Sequence, residues 1–145
     1  MRDDPAALPP AEFAFPGPLR DRLVAAVLAG EKTSTSSLVL EYELEGEPLP
    51  RAGARSALVD SAGRRLAVLE VTEVRVLRAG DVDLAFARDE GEGFESVAEW
   101  REAHRRFWEG EAFRAAVGRP DLVLTDDTQV VSERFRVVEL LDPEP

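Results

Sequence analysis

Arg55-Ser56-Ala57-Leu58-Val59, then Asp60-Ser61-Ala62-Gly63, then the run 66–76 occupy the middle of the chain. Two apolar, β-branched arms flank a four-residue polar and small segment, which is the pattern of a β-hairpin. In the second arm Leu66, Val68, Glu70 and Thr72 fall on one face and Ala67, Leu69, Val71 and Glu73 on the other, as a period of two requires. A hairpin makes its two strands antiparallel. Working outward, residues 38–44 alternate Leu38, Leu40, Tyr42 and Leu44 with Val39, Glu41 and Glu43 and stop at Gly46-Glu47-Pro48, so a strand is expected there. Upstream, Pro18 followed by Leu19, Leu23, Val24, Val27 and Leu28 predicts an amphipathic helix ended by Gly30. Downstream the period changes near Gly80-Asp81. Val82, Ala85 and Phe86 suggest a short helix that gives out in Arg88-Asp89-Glu90-Gly91-Glu92-Gly93. Ser96 with Glu99 reads as a capping box for a longer helix carrying Val97, Trp100, His104, Phe107 and Trp108 on one stripe. Residues 128–140 return to strand. Strands interrupted by helices, with hairpin rather than crossover connections, predict an α+β fold around a small, mainly antiparallel sheet or barrel. Residues 1–12 and 142–145 are rich in proline and charge without periodicity and are expected to be flexible tails on one domain spanning 13–141.

The chain has 145 residues, enough for a core without covalent staples, and no cysteine. With a single histidine there is no His-based metal cluster of the usual spacing, so no metal and no other cofactor is expected. The N-terminal residues lack the pattern of a signal peptide, and no run approaches the ~20 apolar residues of a membrane span. A cytoplasmic protein without membrane contact is the expectation. The net charge of -11 opposes long polyanions, whereas a nucleoside or another weakly charged ligand meets no such barrier.

Arginine supplies 17 of the 18 basic residues, and the one lysine, Lys32, lies in Gly30-Glu31-Lys32-Thr33-Ser34-Thr35-Ser36-Ser37 at a predicted helix end. An amine can lose its proton when desolvated and act as a base, which a guanidinium cannot. In an unbroken strand Lys32 and Thr35 would point to opposite faces, so they share one pocket only if the chain turns between them. Glu90, folded back toward Lys32, would complete a set of base, hydroxyl and acid able to open an amide or a phosphodiester. The bland alternatives are a helix-capping lysine, a polar linker and a solvated acidic loop. Around this set, ligand contacts are expected from Thr33, Ser37, Tyr42, Trp100, His104 and Arg134. For Trp100 and His104 a place in the core is the competing reading, and for Arg134 a solvated strand face.

Gly30-Glu31-Lys32-Thr33-Ser34-Thr35 after a short amphipathic helix resembles the G-x-K-x-x-T signature of ASCH domains, which are relatives of the PUA RNA-binding domain. The segments 41–50 (EYELEGEPLP), 90–93 (EGEG), 100–107 (WREAHRRF) and 133–138 (ERFRVV) resemble a bacterial branch of that family. The resemblance implies a PUA-like β-barrel with flanking helices and a nucleoside- or RNA-binding cleft beside the lysine. Characterised relatives include amidohydrolases that deacylate N4-acetylcytidine and others that cut RNA. Carried over, the catalytic residues would be Lys32, Thr35 and Glu90. The amidohydrolase type has an arginine two residues after the threonine, where this chain has Ser37. The alternative function is a non-catalytic module that binds RNA or a modified nucleotide through the same cleft.

Overall fold

The computed structural model describes residues 4–141. The expected hairpin is its spine: β3 (Arg55–Val59) and β4 (Arg65–Arg78) pair antiparallel. Asp60 closes the turn, its Oδ1 accepting from the amides of Ala62 and Arg64 at 2.9 Å each. On its other side β4 pairs along nearly its whole length with β5 (Gln129–Leu140), which pairs antiparallel with β2 (Ser34–Leu38). A short β1 (Pro10–Ala11) adds parallel to β3, and the five strands lie in the order β1-β3-β4-β5-β2.

Register shifts at Val68/Leu69 and Val71/Glu73 mark bulges in the β4–β5 ladder. Bulges bend and further twist a strand, and here they curl the sheet into a half-barrel. The barrel implied by the resemblance is not closed: β1 and β2 are its two edges and do not pair. Both are too short to wrap round, β1 having two residues and β2 five.

The strand expected over 38–44 is the second correction. The chain leaves β2 at Leu38 and enters α2 (Val39–Glu45). Leucine and glutamate are good helix formers, the Glu41 carboxylate accepts from the Leu38 amide at 2.7 Å, and Gly46 ends the helix at φ +66°. A real alternation of apolar and polar residues was outweighed by capping at both ends.

Residues 4–12 are not a frayed tail. The Arg65 guanidinium donates to the carbonyls of Pro5 and Leu8 at 2.9 Å each, and the Ala57 amide to Pro9. Prolines lack a donor, so a proline-rich segment fits at a sheet edge and nowhere deeper. The expected tail at 142–145 lies outside the described residues.

α1 (Pro18–Leu28) buries Leu23, Val24 and Val27, and its Val24 and Val27 join Leu58, Ala67, Leu69 and Phe135 of the sheet in one core cluster. A second cluster gathers Phe86 of α3 (Leu84–Asp89), Trp100 and Trp108 of α4 (Val97–Trp108), Phe113 of α5 (Glu111–Val117) and the sheet residues Leu38 and Val130. The sequence reading had no element at 111–117. Ser96 caps α4 as expected, while the Glu99 carboxylate turns to the Glu95 amide instead of that of Ser96. No helix among the described residues is long and apolar enough to cross a membrane.

Candidate functional site

Gly30 adopts φ +78° and ends α1, and the amides of Glu31 and Lys32 both donate to the Ala26 carbonyl. β2 begins only at Ser34, so Lys32 lies in the turn and Thr35 in the strand. That break satisfies the condition under which the two share a face: both line an open cleft of about 840 Å³ inside the half-barrel.

Lys32 is 2 % exposed. Its Nζ donates to the carbonyls of Ser34 (2.9 Å) and Glu90 (3.2 Å), and lies 3.7 Å from Glu90 Oε1 and 5.5 Å from the centre of the Phe13 ring. Burial pulls its pKa below the ordinary value, against the opposing charges of Glu90 and Glu92. Three oxygens around Nζ suit an ammonium, because an amine would turn a lone pair toward one of them.

Glu90 is buried to the same degree. Its Oε2 accepts from Ser36 Oγ at 2.7 Å and from Trp100 Nε1, and its Oε1 lies 3.3 Å from His104 Nε2. Burial would raise this carboxyl, but the hydrogen bond and charge of His104, then Lys32 and Ser36, bring it below its ordinary value. His104 shows the reciprocal effect. Burial pushes its pKa down, and Glu90, the Trp100 carbonyl and Glu92 together push it up. With Nδ1 donating to the Trp100 carbonyl at 2.8 Å, an imidazolium donating at both nitrogens fits best. Ligand atoms of Glu90, Glu92 and His104 lie within 4.8 Å of one another, a spacing that would suit a metal ion. The Glu90 oxygens already meet Ser36, Trp100, His104 and Lys32, and the positive charges beside them are the ammonium of Lys32 and the imidazolium of His104.

Gly91 makes this packing possible. It sits at φ +74°, and a Cβ there would fall 2.6 Å from the Glu31 carbonyl oxygen and 2.7 Å from Lys32 Cα and N. The acidic loop thus lies directly on the backbone of the lysine turn, tied by the Thr33 amide to the Asp89 carbonyl at 2.7 Å.

The remaining expected contacts divide. Ser37 and Tyr42 line the cleft and bond each other at 3.0 Å, and burial raises the Tyr42 phenol to about 12. His104 also reaches the cleft. Trp100 does not: it is fully buried, stacked on His104 with ring centroids 4.3 Å apart, and serves Glu90. Thr33 is exposed, outside the cleft. Arg134 is on the other side of β5, paired with Asp89 at 2.6 Å with its guanidinium over the Phe86 ring. Alternation along β5 that makes Phe135 a cleft residue necessarily turns Arg134 away.

Sequence reasoning missed Glu133. It lines the cleft from β5, directly opposite Thr35, and its carboxyl makes no hydrogen bond or ion pair among the described residues. Burial raises its carboxyl to about 7. A raised carboxyl costs stability as pH climbs from about 4.5 through 7, because the folded state holds its proton longer than the unfolded chain. The isosteric Glu133→Gln variant should therefore be more stable than the wild type at pH 8 by about 1–3 kcal/mol, after allowance for partial exposure, and equal to it at pH 4. Urea denaturation at the two pH values measures this, and equal effects at both would refute the assignment.

The ASCH domain family model matches residues 12–139. No curated protein matches the chain. The crystal structure of EF3133 from Enterococcus faecalis V583 is similar over 91 % of this chain and 77 % of that one, at 30 % identity and a TM-score of 0.79. An ASCH domain from Lactobacillus crispatus JV V101 is similar over 90 % and 79 %, at 30 % identity and 0.77. The ASCH protein of Zymomonas mobilis shares the fold at 14 % identity, 85 % and 66 % coverage and 0.51. With a family model spanning nearly the whole described chain, and with the lysine motif and acidic loop packed together at one cleft, this chain belongs to the ASCH domain family.

Proposed function

We propose that the protein is a hydrolase of small, uncharged nucleoside amides of the N4-acylcytidine type, acting in the cytoplasm. The observation that supports this reading is the cleft itself, whose lining includes Thr35, Lys32 and Glu90. The Thr35 hydroxyl makes no hydrogen bond among the described residues. It is the group that attacks the acyl carbon or orients a water onto it. Lys32 and Glu90 form the charged pair that takes up the proton of that nucleophile and faces the developing oxyanion.

Electrostatics favours a nucleoside over RNA as substrate. Seven glutamates line the cleft against four cations, Arg20, Lys32, Arg55 and the imidazolium of His104. None of the four is free to grip a phosphate: Arg20 donates to the carbonyls of Phe13 and Ala14, Lys32 and His104 are committed as described, and Arg55 pairs with Glu70 at 3.1 Å. Phosphate binding needs available donors. The apolar walls, with Phe13, Phe107 and Phe135, suit the flat face of a base.

The test is liquid-chromatographic detection of free nucleoside and carboxylate from a panel of N-acylated nucleosides, with short RNAs alongside. Wild type should release product and Thr35→Ala should be slower by about 100-fold or more. One observation favours a second reading, a non-catalytic module for RNA or a modified nucleotide: the donors of Lys32 are already engaged by protein oxygens. That reading requires saturable, salt-dependent binding with no product.

A further inference from the structure

We infer that Glu133 is the acid that protonates the departing amine, a second catalytic carboxyl distinct from Glu90. The inference rests on the proposed amide hydrolysis, and adds a residue to which neither the lysine motif nor the acidic loop points.

The geometry comes from strand register. Thr35 of β2 and Glu133 of β5 are direct partners in the antiparallel ladder. Residues directly opposite in such a ladder project from the same face of the sheet, with Cβ atoms about 4.5–5.5 Å apart. Both line the cleft. An acyl carbon approached by an oxygen at Thr35 would therefore carry its nitrogen within reach of the neighbouring strand.

Amide hydrolysis also needs two proton transfers, one from the nucleophile and one to the leaving nitrogen. Glu90, held ionised beside Lys32 and His104, has no proton of its own to supply for the second. Glu133 has no such partners among the described residues. The two carboxyls are also pushed in opposite directions, Glu90 down by its partners and Glu133 up by burial, the division of labour expected of a base and an acid. Groups near Glu133 leave its protonation to burial: Ser37 and Tyr42 bond each other, and Glu41 accepts from the Leu38 amide. Among the described residues no cation is paired with it.

The step balances as follows. The Thr35 oxygen bonds to the acyl carbon and its proton passes to the Glu90 carboxylate. The C–N bond breaks, its electron pair taking the proton of the Glu133 carboxyl, and free amine and an acyl-threonine ester result. Water then attacks the ester and loses one proton to solvent, the Thr35 oxygen leaves with the proton held by Glu90, and the Glu133 carboxylate regains its proton from solvent. Carboxylic acid is released and every residue is restored.

The experiment compares wild type and Glu133→Gln on an N-acylated cytidine and on a phenyl ester of the same acid, whose phenolate leaves without being protonated. The expected result is a 100-fold or greater loss of kcat on the amide, less than fivefold on the ester, and a wild-type amide rate that falls above about pH 7. Equal losses on both substrates, or no loss on the amide, overturn the assignment while leaving the hydrolase reading standing. Wild type without activity on any amide removes the hydrolase reading and this assignment together. A melting curve of the variant at pH 5 shows that it is folded.

Discussion

Replacing Lys32 with Met should lower stability at pH 7 by about 3–5 kcal/mol, the cost of leaving one member of a buried ion pair without its partner. Methionine is one atom shorter than lysine and keeps most of the packing of its stem over Phe13. It removes the charge beside Glu90 and the donors to the carbonyls of Ser34 and Glu90. His104 remains against Glu90, so the loss should fall at the lower end of that range. The pH dependence has a definite sign. Glu90 is held below its ordinary pKa, so its contribution is present above about 4.5 and is lost as pH falls through the folded-state value. The penalty of the substitution should therefore shrink on acidification, as Glu90 becomes protonated and needs no counter-charge. Urea titrations at pH 7 and pH 4 test this. Adding Glu90→Gln should recover part of the loss at pH 7, and a purely additive double variant would show that the pair is not coupled.

Gly91→Ala should be comparably severe, at about 2–4 kcal/mol, although it adds a single methyl group. Two costs combine. Alanine at φ +74° is strained by about 1–2 kcal/mol, and its Cβ would sit within 2.7 Å of three backbone atoms of Glu31 and Lys32. Backbone cannot rotate out of the way, so the acidic loop must lift from the lysine turn and take Glu90 with it. Activity should fall more than stability does, because the ion pair is broken even in molecules that remain folded. Gly93→Ala is the control: its φ is also positive at +82°, but a Cβ there meets nothing within 4 Å. It should cost only the strain. Thermal melts of the two variants separate the contributions, and equal losses would contradict a close approach specific to Gly91.

His104 and Glu133 set the alkaline side of the same profile. His104 is raised above its usual value, so its contribution is complete below about 6.5 and is lost as pH rises through the folded-state pKa. Glu133 acts in the same direction between about 4.5 and 7. Stability should accordingly peak at mildly acidic pH.

Local signals were legible wherever one short stretch decided the outcome. The hairpin at Asp60-Gly63, the first helix ending at Gly30 and the Ser96 cap follow from turn and capping chemistry within a few residues. Residues 38–44 misled because strand alternation and helix capping coexist there, and only the Glu41 bond to Leu38 and the left-handed Gly46 decide between them. Residues 4–12 misled because edge pairing depends on Arg65 and Ala57, some fifty residues away.

At the site, chain chemistry alone singled out Lys32: one lysine among arginines, leaving a helix end, followed by hydroxyls. Composition likewise determined the acidic charge and the absence of thiol chemistry. Tertiary structure decided what surrounds the lysine. Glu90 lies 58 residues from Lys32 in sequence and reaches it only because Gly91 allows two backbones to touch. Trp100 and His104 became supports for Glu90 because the helix stripe that carries them packs behind the acidic loop. Glu133 faces Thr35, and Arg134 faces away, because the register of β2 on β5 is set by the whole curled sheet. A side-chain alternation of two says that neighbours point apart, and only the packed fold says which of them meets the cleft.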